Sequence, residues 1–137
     1  MTFNSNLIND YIGKPYLVNA RGPDQFDCYG LVLDVYKKFL GITLPDWTVD
    51  DGSVQTAIRV INSAWQSSDA MDLVRKVDEP QDMDIAFLTR HSMAHHVGVY
   101  INGGVLHSSH KNRGTAWERP EVFHATGRGE LQYWRLK

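Results

Sequence analysis

The chain has 137 residues, 42% of them hydrophobic, which is enough for one domain with a proper core and short for two. A net charge of −2 with no basic block argues against nucleic acid or an anionic membrane as partner, and no apolar run approaches the roughly 18 residues of a membrane span. The single cysteine excludes an internal disulfide framework, and Met1 to Asn6 lacks the basic and apolar pattern of a signal peptide.

In chain order, Asn6 to Ile12 reads as a short helix ended by Gly13. Pro15 to Val18 is extended, and Arg21-Gly22-Pro23-Asp24 is a turn leading into Asp27. Asp27 is a good N-cap, because its carboxylate can accept free N–H groups of a first helical turn. Leu31, Val32, Val35, Tyr36 and Phe39 then recur at helical spacing up to Gly41, giving a helix of roughly three turns. Cys28 stands on its first turn. The positive end of the helix lowers a thiol pKa there, so Cys28 is expected below the free value of about 8.5; an inert buried thiol is the plainer alternative.

After the loop Thr43 to Trp47, a second amphipathic helix is expected with Val54, Ala57, Ile58, Ile61 and Trp65 on its apolar face. Leu73 to Val77 alternates weakly as a strand, Pro80-Gln81-Asp82 turns, and Ile85 to Leu88 is a short buried strand. Helices followed by strands argue an α+β fold.

Asn102-Gly103 between alternating apolar runs is a strong hairpin signal, since both turn positions need positive φ. With those two as the turn, Ile101 faces Gly104 and Gly98 faces His107. His96 then shares the face of Gly98 and is the diagonal neighbour of His107, about 7–8 Å away at the backbone. His95 projects from the opposite face. A helix-borne Cys28 with His96 as base and His107 as orienter is what nucleophilic thiol catalysis needs. A histidine orienter fixes the tautomer of the base but supplies no negative charge.

Other clusters carry less. His91, His95 and His96 could ligate a metal, but a spacing of four serves a metal on a helix and this segment reads as loop and strand. Trp47, Trp65, Trp117 and Trp134 fit core or rim positions better than a sugar-stacking platform. His110 and His124 are expected to be solvated, and Asp24, Asp50 and Asp51 to be turn residues.

In order, Pro15-Tyr16, Phe26-Asp27-Cys28-Tyr29-Gly30-Leu31-Val32, Asp82-Met83-Asp84-Ile85-Ala86-Phe87, His96-Val97-Gly98-Val99-Tyr100, Leu106-His107 and Tyr133-Trp134-Arg135 resemble the NlpC-type cysteine peptidases. These are papain-like enzymes that cut peptide stems of the bacterial cell wall. The resemblance spans nearly the whole chain and implies a single catalytic domain over residues 1–137, with N-terminal helices packed on a small antiparallel sheet. It carries the catalytic triad onto Cys28, His96 and His107, and an oxyanion-binding tyrosine onto Tyr16. It implies a D-glutamyl–diamino acid endopeptidase acting on peptidoglycan stem peptides, with no metal and no cofactor.

Tyr29 in place of the family's more usual Ser, with Arg21 to Asp24 beside it, looks more like members from phage tails and gene-transfer particles. Together with the missing signal peptide, this implies a protein made in the cytoplasm, carried with phage tail-tip proteins in a virion tail, and acting on the cell wall or in the periplasm. A docking module of a tail tip with little activity, or another thiol amidase or transferase on the same scaffold, are the alternatives.

Overall fold

The computed structural model describes residues 8–46, 63, 65, 72–91, 93–110 and 114–137. Helix α1 (Cys28–Leu40) begins where Asp27, itself extended, accepts the Gly30 N–H at 2.6 Å, and it ends at Gly41 in the left-handed region, φ 67°. The Asp27 carboxylate also takes the Asn19 N–H and Arg21 Nη1, each at 2.8 Å. Arg21 Nε in turn reaches Asp46 at 2.9 Å. The start of the helix is therefore fastened to the turn before it and the loop after it. Leu31, Val32, Val35 and Tyr36 form its buried face, as their spacing requires.

Among the described residues six strands follow: β1 (Val74–Val77), β2 (Ile85–Arg90), β3 (Met93–Ile101), β4 (Gly104–Ser109), β5 (Gly114–Glu118) and β6 (Glu130–Leu136). They form one antiparallel sheet in the order β1-β6-β2-β3-β4-β5. A short helix α2 (Pro120–Ala125) lies between β5 and β6, opened by Pro120 in the first turn, where its missing N–H costs nothing. The architecture is α+β, with α1 packed on the sheet. Ile85, Phe87, Val97, Val99, Ile101 and Leu106 alternate onto the face that α1 covers. Ala86, Leu88 and Val105 alternate onto the other face, around Phe123 of α2.

The hairpin of β3 and β4 has the expected register: Asn102 and Gly103 hold φ 52° and 86°, and Ile101 pairs with Gly104. At Gly98 the strands approach so closely that an added Cβ would stand 2.7 Å from the Leu106 carbonyl and 2.9 Å from His107 Cβ. One expectation is corrected here. A bulge after Leu88 pairs Leu88 with His96 and Thr89 with Ala94, leaving His95 as the extra residue. The simple alternation that sends His95 to the far face therefore fails.

The remaining signature residues are ties. Asp82 accepts the turn N–H of Asn102 at 2.8 Å. Asp84, 1% exposed, takes Arg135 Nε at 2.8 Å and Nη2 at 2.9 Å, joining the start of β2 to β6. Pro15 and Tyr16 form isolated bridges to Gly114 and Phe26 rather than a strand. Of the expected first helix, Ile8 and Asn9 are helical and a turn carries the chain to Gly13; Asn6 and Leu7 lie outside the described residues. So do Trp47, Asp50, Asp51, Val54, Ala57, Ile58 and Ile61. Trp65, helical as expected, is buried edge-on against Tyr29 and Phe87.

Candidate active site

Cys28, Tyr16, His96, His107, Phe123 and Arg128 wall one cleft of about 170 Å³, with His95 and His110 also on its wall. Several local features bring these elements together. The Ser108 hydroxyl donates to the Phe26 carbonyl at 3.0 Å, tying β4 to the residues just before the helix cap. Tyr16 is held by Leu17 N–H donating to Phe26 O at 3.1 Å and Phe26 N–H to Pro15 O at 3.0 Å. Its ring meets His110 edge-on at 5.8 Å. A larger cavity of about 590 Å³ lies elsewhere, along Tyr36, Asp82, Asp84 and Arg135. Its lining offers neither thiol nor imidazole, so the smaller cleft is the one with chemistry.

The two histidines meet as the hairpin parity requires. His96 Nε2 lies 2.8 Å from His107 Nδ1, with the rings nearly perpendicular and 5.0 Å apart. His107 is 1% exposed and packs on the Phe123 ring. Its other nitrogen, Nε2, lies 2.8 Å from Glu118 Oε1. Glu118 is gripped on both oxygens by Arg128, Nη1 to Oε1 at 3.1 Å and Nη2 to Oε2 at 2.7 Å. The Arg128 guanidinium also lies over the Phe123 ring, 4.5 Å from its centre. Neither Glu118 nor Arg128 was among the residues that the sequence singled out. Their signal is faint: β5 pairs Ala116 with His107, which makes Glu118 the diagonal neighbour of that histidine. His95 Nε2 lies 3.1 Å from the Arg128 carbonyl, so the bulge turns it to the rim of the same cleft.

The electrostatics correct a second expectation. Burial pushes the Cys28 thiol up to about 12, and the neighbouring Asp27 carboxylate adds to it. Hydrogen bonds from the Val97 and Tyr29 N–H groups and the charge of Arg21 pull the other way without prevailing. A helix end is worth about 0.3–1 kcal/mol at an exposed site, less than one pKa unit at 1.36 kcal/mol. Full burial exceeds that. Burial also holds His96 well below its ordinary value, helped by His107, His95 and Arg128 and opposed by Glu118. His107 is lowered by burial against the pull of Glu118. Burial thus favours the neutral form of each group, the thiol of Cys28 and the imidazole of His96. Glu118 is brought down to about 2, first by its bonds to Arg128, and is ionised. Burial, Cys28 and Asp27 raise Tyr16, so its hydroxyl keeps the proton it would donate.

The model of the NlpC/P60 family matches residues 13–131. The chain is 30% identical over 102 residues to the Probable endopeptidase p60 of Listeria grayi, covering 74% of this chain and 16% of that protein. It is 28% identical over 94 residues to Protein P54 of Enterococcus faecium, covering 69% of this chain and 15% of that protein. The chain thus spans about a sixth of the length of these relatives. Among solved structures, the NlpC/p60 domain of the peptidoglycan hydrolase SagA superposes with a TM-score of 0.61 at 19% identity, over 94% of this chain and 93% of that one. NlpC2 from Trichomonas vaginalis gives 0.60 at 20% identity, over 96% of this chain and 44% of that one. These structures share the fold, and the match of the family model over most of the sequence means that the chain belongs to the NlpC/P60 family.

Proposed function

We propose that the chain is a cysteine peptidase that opens an amide bond of peptidoglycan stem peptides, between D-glutamate and a diamino acid. The observation that carries this reading is one cleft holding a first-turn thiol and a histidine pair joined at 2.8 Å. Cys28 Sγ attacks the carbonyl carbon as its proton passes to His96. The developing oxyanion is met by backbone N–H at the helix start and by the protonated Tyr16 hydroxyl. His96 then gives its proton to the leaving amine, and water releases the acyl group from Cys28. Family membership and the relative named an endopeptidase support the peptidoglycan substrate. The resemblance of Tyr29 and Arg21 to Asp24 to phage-tail members supports delivery to the wall by a particle. The family's domain covers the chain from residue 13 to 131, which fits one catalytic unit.

The test is incubation with purified stem peptides, followed by mass analysis of the products. Fragments ending in D-glutamate, absent with the Cys28→Ala protein, are expected. Intact peptides under conditions where Cys28 is accessible to an alkylating reagent overturn the reading, and a different scissile bond overturns its specificity.

A further inference from the structure

The hydrogen bonds behind His96 have a direction. An ionised carboxylate can only accept, so the 2.8 Å contact to Glu118 requires the proton of His107 on Nε2. A neutral His107 then presents a lone pair at Nδ1, and the 2.8 Å contact between the rings requires a proton on His96 Nε2. That leaves His96 Nδ1 as the one ring nitrogen with a lone pair for the Cys28 proton. Were His107 protonated on both nitrogens, His96 Nε2 would have to accept, and Nδ1 would carry the proton and be useless as a base. The negative charge that a histidine orienter lacks stands one residue further out.

We propose that Glu118, clamped by Arg128, is a positioning residue that acts through His107 to hold His96 in its base-competent tautomer and to stabilise the imidazolium formed when Cys28 attacks. The inference rests on the thiol–imidazole reading of the cleft, but not on its substrate. The groups facing the pair are Glu118 from β5, Arg128 from the loop before β6, His95 beside it on β3 and Cys28 from α1. Tyr16, Arg90 and His110 complete the titratable wall.

Cys28 is the only cysteine, so iodoacetamide reports on the network without any cell-wall substrate. In that reaction the S–C bond forms, the C–I bond breaks, iodide leaves and the thiol proton passes to His96 Nδ1. Glu118→Gln keeps an acceptor oxygen and removes the charge. Alkylation at neutral pH is expected to slow about threefold to tenfold, with the acid limb of its pH profile moving to lower pH, since one pKa unit is a tenfold change in proton affinity. Arg128→Gln removes a positive charge that disfavours the imidazolium, so its limb is expected to move to higher pH. Loss of fold or of packing does not move the two limbs apart. Nitrogen-15 shifts of the parent protein supply a readout without any variant: His96 and His107 are both expected to be protonated on Nε2 and bare on Nδ1. A proton on Nδ1 of either ring, a parent-like profile in folded Glu118→Gln, or limbs that move the same way in both variants overturns the proposal.

Discussion

Cys28 sits in a conflict that its own neighbours create. Asp27 is needed to start the helix, yet its carboxylate stands beside the thiol and counters the positive helix end that would otherwise favour a thiolate. A thiol held protonated by burial reacts only if a base takes its proton during attack, so the proposed reaction depends on His96. Cys28→Ala is expected to abolish turnover and shift the melting temperature little, because one small buried group is removed; residual hydrolysis would remove Cys28 from the mechanism. His96→Ala should slow turnover at least about 100-fold, the low end of general-base contributions. His95→Ala should cost less, because His95 bonds the Arg128 carbonyl at the rim rather than His107. Equal losses in steady-state assays would mean that the two histidines share the base role.

At the scale of elements, the hairpin was legible and the carboxylate behind it was not. Asn102-Gly103 is a two-residue turn of fixed geometry, so counting outward places His96 diagonal to His107 without any knowledge of the rest of the fold. The cap, apolar face and terminal glycine of α1 were likewise local signals. By contrast, β5 opens on small residues, Gly114-Thr115-Ala116, and the sequence ahead of it carries no Asn-Gly or Asp-Gly pair to set its register on β4, so nothing local aims Glu118 at His107. Arg128 arrives by way of α2, whose six residues are too few for a periodic pattern. The bulge that redirects His95 is a backbone event with no residue of its own to announce it. The hairpin also makes a sharp demand on Gly98. In Gly98→Ala the new methyl meets the Leu106 carbonyl at 2.7 Å and must push β3 from β4. A loss of about 1–3 kcal/mol is expected by denaturant titration, the range of overpacked sites. A larger proportional loss of activity should accompany it, because the same displacement separates His96 from His107; unchanged stability would mean that the strands part there at no cost.

The molecule as a whole should be most stable in a window bounded by the site it encloses. His96 and His107 are held below their ordinary 6.5, so the unfolded chain binds protons that the folded one refuses. Stability is therefore full above pH 6.5 and declines as pH falls toward their folded values, by at most about 1.4 kcal/mol per pH unit for each group. Glu118, lowered from 4.5 to about 2, continues the decline below pH 4.5 until the carboxylate itself is protonated. On the alkaline side the sign reverses. Cys28 is raised from 9.0 to about 12, so the unfolded thiol ionises first and stability falls as pH rises from 9 toward 12. Tyr11, Tyr16, Tyr29 and Tyr36 are raised above their ordinary 10.0 and add to the fall from there upward. Denaturant titrations across this range should trace a dome with its top between about pH 6.5 and 9. Cys28→Ala should delay the alkaline descent by about one unit, to where the tyrosines begin, and leave the acid descent in place. His96→Ala should flatten the acid descent and leave the alkaline one. A Cys28→Ala protein with the parent's onset near pH 9 would show that the thiol is not held neutral in the fold.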